Sequence, residues 1–549
     1  MNKHLLSALV LGLSGFACSA AEPFYLPYTY VTGFSPDKTI AVSEMFGSVY
    51  IYDLESGEDP LIFEATEDGL KYYACGVGNY IANNGICITQ GETFAASAFL
   101  FGATGVANGR FTTISNDVVA GMGAANGVTA DGTRYCGNNP TGEEFGIDAT
   151  DTMIIPCIWD RSGNKFNRTK LPCPTVDYAG LAPQYVTALS ISDDGKTVIG
   201  QLVSNNGFLV EFIVYKQDEN GEWSYTKPFD HLVNPNKLVL PEFPGDGPLQ
   251  ALPNDYMSEE AYNLYLEALT EYYENPIDGA TAPKVEDFMT EDELAAYKEA
   301  LQPYLDWLAK YDEWETIDNQ IRSESINFVF NLNSLSPNGR YLGSSIGTTK
   351  FVGLSRVTTY EPFVYDIVED RIIVNGGNDI RVTAVSDNGD VLGFTRDLYT
   401  NDDYGYVLPA GATEWMPLEK YVVERNPALA QWVEDNWKHE VEVIIDPDEY
   451  ITEFQTRYIT GLPFISRDFS MLSTVFFPTW ENTNPDIASE WYNSCIIDLS
   501  DESSIQEIEN AKNENAPVEY FNIQGMRVSE PENGVFIRRQ GSDVRKILK

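Results

Sequence analysis

Histidine is nearly missing from this chain. His4, His231 and His439 are its only three in 549 residues, and the first lies in a leader-like segment. Two histidines far apart in sequence argue against a His-rich metal site. Cysteine is sparse as well: Cys18 falls in the leader, leaving Cys75, Cys87, Cys136, Cys157, Cys173 and Cys495. No CxxC spacing occurs, so a zinc knuckle has no support. Most of these thiols sit in strand-like runs, as small buried hydrophobes do. Cys136 and Cys157 are the one pair placed to bridge neighbouring strands. Basic residues are few, 35 Lys and Arg against 82 Asp and Glu. That balance argues against nucleic acid and anionic membrane as partners, since both require a basic footprint. Beyond the leader no apolar run approaches the roughly 18 residues of a membrane-spanning helix. No Walker-type phosphate loop is present.

What is present begins with residues 1–21. Lys3 supplies a positive start, Leu5 to Phe16 an apolar stretch, and Ser19-Ala20-Ala21 a small-residue cleavage site before Glu22. This is the pattern of a signal peptide. A lipid anchor through Cys18 is the alternative, with Gly15 and Phe16 a poor match for it. The rest of the chain, rich in aromatics and with 43 glycines, suits many short strands joined by turns.

A short phrase keeps returning: Ser, then Asp or Asn, then Gly, then an apolar run. It stands at Ser35-Pro36-Asp37, Ser192-Asp193-Asp194-Gly195, Ser336-Pro337-Asn338-Gly339 and Ser386-Asp387-Asn388-Gly389. Looser copies occur at Asn83-Asn84-Gly85, Ala130-Asp131-Gly132 and Ser466-Arg467-Asp468. Asn and Asp tolerate left-handed backbone, Gly adopts it freely, and the Ser hydroxyl bonds the local backbone. Each phrase therefore reads as a tight turn feeding a strand, and a second strand signal follows, as at Val49–Asp53 and Phe363–Asp366. A repeated meander must curl or stack to hide its edges.

On these phrases the chain resembles WD-repeat and related bacterial β-propellers, most closely over residues 31–57 and in patches over 24–505. The resemblance implies an all-β propeller within residues 22–505. Seven phrases predict seven blades, with six or eight as alternatives if a degenerate blade lies near 225–245 or 440–460. The intervals between phrases are 48, 47, 62, 144, 50 and 80 residues. The long interval predicts an inserted α-helical hairpin over residues 246–322. One helix starts at Ser258. A second starts at the capping box Thr290–Glu293 and is expected to kink at Pro303. Its stripe Leu294, Tyr297, Leu301, Leu305 and Leu308 should bury against the partner helix. A shorter helix is expected from Asn426-Pro427.

Residues 506–515 read as a linker. From Ala516 the tail carries six basic and four acidic residues. Its segment Tyr520-Phe521-Asn522-Ile523-Gln524-Gly525-Met526-Arg527-Val528, then Val535-Phe536-Ile537, then Lys546 to Lys549, resembles the C-terminal sorting tails of secreted Bacteroidetes proteins. That resemblance implies type IX secretion. A small edge hairpin over residues 516–549 is the plainer reading.

Candidate chemistry is thin. Gly343-Ser344-Ser345-Ile346-Gly347 matches a nucleophile elbow, with His439 the only later base, yet no helix follows it. Glu143-Glu144, Asp193-Asp194 and Asp402-Asp403 are carboxylate pairs of the kind that glycoside hydrolysis uses, and turn Asp residues could hold calcium. Most are expected to be solvated turn residues, and no cofactor is predicted. Trp307, Tyr311 and Trp314 lie at helical spacing in the insertion, either packing it onto the ring or forming a ligand platform. The sequence thus points to an exported, non-catalytic binding or scaffold propeller, secreted, periplasmic or at the outer surface, that recognises a protein or glycan. A carboxylate-based glycoside hydrolase or lyase is the alternative.

Overall fold

A computed structural model describes residues 23–27, 29–45, 48–55, 59–63, 70–74, 80–83, 87–93, 104–107, 110–113, 124–139, 155–163, 165–204, 210–275, 281–324, 327–329, 335–352, 355–375, 379–396, 403–446, 451–458, 463–476, 493–500, 518–522, 527–528, 535–540 and 543–548. The expected leader 1–21 with Cys18, Cys75, Glu143-Glu144, Asp402 and the expected linker 506–515 lie outside them.

The chain is mostly β. Successive four-stranded antiparallel meanders occupy residues 31–63, 70–113, 124–170, 185–226, 327–375 and 381–417, here sheets 1 to 6. Sheet 7 takes three strands from residues 464–498 and its outermost from Phe24–Pro27, which pairs antiparallel with Asn493–Asp498. Each sheet packs on the next, and the first strand of sheet 7 packs on that of sheet 1. Sheets 6 and 7 share a core in which Leu392 and Val407 meet Leu472, Cys495 and Ile497. The sheets thus close into a ring, the arrangement of a β-propeller.

The recurring phrases of sheets 1 and 3 to 7 are turns between first and second strands, Asn84-Gly85 of sheet 2 lies outside the described residues, and one set of bonds repeats. In sheet 4, Ser192 Oγ donates to Asp194 (2.6 Å) and accepts from Thr197 N (3.0 Å), while Asp194 accepts from Lys196 N (2.9 Å). Sheet 1 does the same with Ser35, Asp37 and Ile40, sheet 3 with Thr129, Asp131 and Arg134, and sheet 7 with Ser466, Asp468 and Met471. The left-handed position of the turn is Gly132, Gly195, Gly339 or Gly389, but Lys38 (φ 63°) in sheet 1 and Phe469 (φ 58°) in sheet 7. Phe469 accepts that strain while burying its ring in the core shared by sheets 6 and 7.

The first strands of sheets 1, 3, 4 and 6 each carry a bulge at the same level. A bulge re-aims its side chain. In sheet 1 that frees Thr32 to bond Tyr80 of sheet 2 (2.7 Å), and in sheet 3 it directs Asn126 to the Ala188 carbonyl of sheet 4 (2.6 Å).

Two calls on strand chemistry are settled by register. Cys157 pairs with Gly137 and Cys136 with Ile158, so the two thiols alternate onto opposite faces, into separate cores. None of Cys87, Cys136, Cys157, Cys173 and Cys495 is in a disulfide, so the possible Cys136–Cys157 bridge does not form and the reading as small buried hydrophobes fits. Ser345 is not an exposed elbow: it lies fully buried within the strand Tyr341–Val352, donating to Ile380 O (3.2 Å) and accepting from Val382 N (2.9 Å), which stitches sheet 5 to sheet 6.

Helix α1 (Asp230–Val233) follows sheet 4. Helices α2 (Glu259–Glu274) and α3 (Glu291–Glu324) then fill the long interval. Ser258 caps α2 through Ala261 N, and the capping box forms, with Thr290 N bonded to Glu293 and Glu293 N to Thr290 Oγ1. Helix α3 runs unbroken through the exposed Pro303. Of its expected stripe only Tyr297 is buried, and Leu305 is exposed. The stripe is therefore not sealed against α2. The helix is instead fastened at its C-terminal end, where Ile321, Trp314 and Ile317 join the core of sheets 4 and 5. Between sheets 6 and 7 lie α4 (Leu418–Arg425), which the sequence reading missed, α5 (Ala430–Asn436) and the two-stranded hairpin Lys438–Asp446/Ile451–Tyr458. Asn426 caps the turn before α5 by accepting from Ala428 N. A separate four-stranded sheet is built from 518–522, 527–528, 535–540 and 543–548.

Removing the Ser192 hydroxyl (Ser192→Ala) leaves Asp194 and Thr197 N without a shared partner in a buried turn. The expected loss is about 1–2 kcal/mol, read as a lower urea midpoint with unchanged slope.

Candidate functional site

A meander alternates direction, so its connections sort to two ends of the ring. The phrase turns and the turns between third and fourth strands lie together at one end. Backbone bonds confirm this: Leu54 N reaches Thr39 O, Arg161 N Thr133 O, Gln217 N Lys196 O, and Ile367 N Arg340 O. The connections between second and third strands, and those leading to the next sheet, lie at the other end. That far end receives α1 to α3, α4, α5 and the 438–458 hairpin.

The turn end is laced shut around its rim. Asp37 N bonds Asn83 Oδ1 (2.8 Å), Asn83 N bonds Ala130 O (2.8 Å), Asp193 N bonds Pro337 O (2.7 Å), and Asn338 N bonds Asp387 Oδ1 (2.7 Å). Arg134 reaches Gly195 O (3.0 Å), and Lys38 Nζ bridges to Asp468 (2.9 Å) and Ser470 (2.7 Å). Across the middle lies Arg467, the second residue of the sheet 7 phrase. Its guanidinium pairs with Asp193 of sheet 4 and donates to Ile81 O of sheet 2 (3.2 Å) and Val128 O of sheet 3 (3.3 Å). A side chain from sheet 7 that reaches sheets 2, 3 and 4 must cross the axis. It is 10% exposed, and burial lowers its pKa against the pull of Asp193 and Asp387. Burial, with Asp193 beside it, raises the Asp387 carboxyl, and Asn338 N and Arg467 counteract.

The sequence-predicted site residues separate accordingly. Asp193 serves Arg467, while Asp194 serves its own turn. Asp131 shows the same commitment: burial pushes its carboxyl up, but bonds from Thr129 and Thr133 together outweigh that and hold it below the usual range. In sheets 1 and 4 the turn bonds converge on Oδ1 of Asp37 and Asp194, and no group of three or more His, Cys, Asp or Glu among the described residues is placed to hold a metal. His231 is exposed on α1. His439 lies in the 438–458 hairpin, remote in the chain from the buried Ser345.

Trp307, Tyr311 and Trp314 form a ladder along α3, with ring centres 5.2 and 5.8 Å apart. The strap 243–247 crosses it. Phe243 meets Trp314 edge-on at 4.9 Å, Trp307 Nε1 donates to Gly245 O (3.0 Å), and the indole occupies the space that a Cβ on Gly247 would need. One side of the ladder therefore holds the strap, and the rings remain half-buried.

A group that sequence reasoning missed sits where the lobe leaves sheet 4. Glu211 is fully buried on the strand Val210–Gln217 and pairs with Lys227 (3.1 Å), which also contacts Asp230 on α1 (3.1 Å). Burial outweighs the attraction of Lys227 and raises the Glu211 carboxyl to about 7. Its Oε1 has no hydrogen-bond partner among the described residues. The sequence signal was a lone Glu in an otherwise apolar strand, Val-Glu-Phe-Ile-Val-Tyr.

No family description and no curated protein matches the chain. Among solved structures it is similar to the putative TolB from Agrobacterium tumefaciens (9% identity, 72% of this chain and 91% of that chain, TM-score 0.28). It is similar also to the β-propeller domain of the Trilobed protease from Pyrococcus furiosus (7%, 96% and 97%, 0.28) and to the WD40 domain of SCAP from fission yeast (8%, 87% and 87%, 0.31). The propeller assignment rests on strand order and ring closure, and these likenesses carry no functional argument.

Replacing Arg467 by Ala strands Asp193 and Asp387 near each other. With Asp193 about a third exposed, the expected loss is about 1–3 kcal/mol, below the range for a wholly buried pair, read by thermal melting. Glu211 binds its proton more tightly folded than unfolded, so stability should fall as pH rises from about 4.5 to about 7. The slope is at most about 1.4 kcal/mol per pH unit, and Glu211→Gln should remove that component of a denaturation series.

Proposed function

We propose that this chain is an exported, non-catalytic recognition propeller of seven blades that binds a protein or glycan partner on the end of the ring carrying the helical lobe, residues 246–322. One observation carries the reading: the two ends of the ring are unlike. One carries the phrase turns, laced together with a guanidinium across the axis, and the other receives helices α1 to α5 and the 438–458 hairpin. Binding sites concentrate on loops held by a rigid scaffold, so the looped end is the recognition face. Export is proposed from the leader at 1–21 and from the basic tail at 516–549, which resembles type IX sorting tails. The carboxylate-based hydrolase reading gains no support from Asp193 and Asp387, because Arg467 is bonded to the first and lies beside the second.

The structure also shows how to test the lobe cleanly. Gly247 lies directly against Trp307, so residues 249–304 can be replaced by a short Gly/Ser linker without spreading the flanking chain. The aromatic ladder and the anchoring Ile321 stay in place. The shortened protein should keep a cooperative melt within a few degrees of the parent and lose partner binding in pull-down and glycan-array assays. Unchanged binding would move the site off the lobe, and turnover of a polysaccharide by the mature chain would overturn the non-catalytic reading.

A further inference from the structure

We infer that helix α2 is a docking face for a cationic amphipathic helix presented by the partner, an assignment that rests on the lobe being the recognition surface. The argument starts from the charge that the lobe carries. Residues 246–322 hold 19 acidic and 4 basic residues, a net −15 within a chain of net −47. About a third of the net charge is therefore concentrated in about a seventh of the chain.

Helix α2 is the extreme case. Its 16 residues include five glutamates and neither Lys nor Arg. Glu260, Leu264, Glu267, Glu271 and Glu274 follow one another at spacings of three or four, which places them along one face, and all five are exposed. Like charges at that spacing repel by a few tenths of a kcal/mol per pair. Glu271 and Glu274 also sit at the negative end of the helix dipole, where cations are favoured, and the last turn has no basic residue. No ion pair to any of the five glutamates occurs among the described residues.

The same helix has no buried residue. Its inner side rests on a short 3₁₀ turn, Val285–Phe288, through Tyr265 and Phe288 (5.7 Å). Its outer side leaves Leu264 in a shallow groove between Glu260, Asn263 and Glu267. Leu249, Leu252 and Tyr273 are likewise exposed in the lobe. The face thus combines an unpaid repulsion with uncovered apolar surface, and a partner must answer both. A divalent cation would answer only the charge, and the carboxylates are strung along the helix instead of converging, with no three-ligand cluster among the described residues. The stripe from Glu260 to Glu274 is about 21 Å long at 1.5 Å per residue. A packed helix of similar length, with Leu on one side and flanking Lys or Arg, matches its spacing and reverses its charge.

The test is calorimetric titration of the mature chain with three synthetic 18-residue peptides: an amphipathic Leu/Lys helix, a scramble of the same composition, and the Leu/Glu counterpart. The amphipathic cationic peptide should bind at least about tenfold more tightly than the scramble, and the Leu/Glu peptide should not bind. The variant E260Q/E267Q/E271Q should weaken binding at least about tenfold while its melting temperature stays level or rises, since the substitutions relieve repulsion within α2. Equal binding of the scramble, or an unchanged affinity in the Gln variant, overturns the inference. If no peptide binds while removal of 249–304 still abolishes partner capture, only the partner chemistry falls. If the Leu/Lys peptide binds equally well to the shortened protein, the lobe-face reading falls with it.

Discussion

The constraint on which the rest depends is ring closure. Each sheet covers one face of its neighbour, so no sheet has a complete core until the last meets the first. The ring achieves this by joining its first and last strands: Phe24–Pro27 pairs with Asn493–Asp498, and the joint is locked by buried bonds from Val31 N to Ser494 Oγ (2.7 Å) and from Ser494 Oγ to Thr29 O (2.9 Å). Four short residues of strand thus convert a row of meanders into a closed object without exposed end faces. The long loop that this closure bridges is the whole ring, and its entropic cost grows only slowly with length.

Closure also explains why the recurring phrase is built as it is. Its Ser and Asp satisfy the turn internally, so the second residue of the phrase is free to vary and faces its neighbours around the axis. It is Pro36, Ala130, Asp193, Pro337 and Asp387 in five sheets, and the last four give backbone or carboxylate groups to bonds with adjacent turns. In sheet 7 it is Arg467. A single guanidinium has enough donors to serve several acceptors at once, which is what a position on the axis demands. The ion pair with Asp193 then gains from partial exclusion of water but also carries a desolvation cost, consistent with the lowered pKa of Arg467.

Much of this was legible from residues alone, for a physical reason. Turn chemistry is local: Ser, Asp and Gly at fixed offsets dictate backbone geometry whatever surrounds them, and the phrases of sheets 1 and 3 to 7 are turns between first and second strands. The capping box at Thr290–Glu293 and the cap at Asn426 were legible for the same reason. What was not legible depends on partners distant in sequence. Nothing in Ser466-Arg467-Asp468 announces that its Arg crosses the ring. Cys136 and Cys157 look bridgeable until register sends them to opposite faces. Ser345 fits a catalytic string, yet its hydroxyl is consumed between two sheets. The stripe Leu294 to Leu308 has helical spacing, but spacing does not say where the partner surface is, and the actual anchor lies further on at Ile321. Helix α4 was missed because Leu418, Tyr421 and Val422 offer only one apolar turn in eight residues.

The two ends of the ring treat charge differently. At the turn end, carboxylates are bound to their own hydroxyls, to backbone N–H groups or to Arg467, so charge is neutralised where it is partly buried. At the far end, acidic charge accumulates beyond the few ion pairs there, most of all on α2, whose glutamates have none among the described residues, and apolar side chains stay uncovered. Such an end would destabilise a domain whose core passed through it, but here the lobe leaves the ring along α3, and Trp314, Ile317 and Ile321 are its residues in the core of sheets 4 and 5 among the described residues. Its repulsion is therefore kept out of the fold. Lys227 and Glu211 mark the boundary between the two regimes: on the sheet side a carboxyl is so deeply buried that its proton is held to near-neutral pH, and a few residues along the chain acidic groups are again fully solvated. A ring arranged in this way can carry an electrostatically unfavourable surface without loss to its own core.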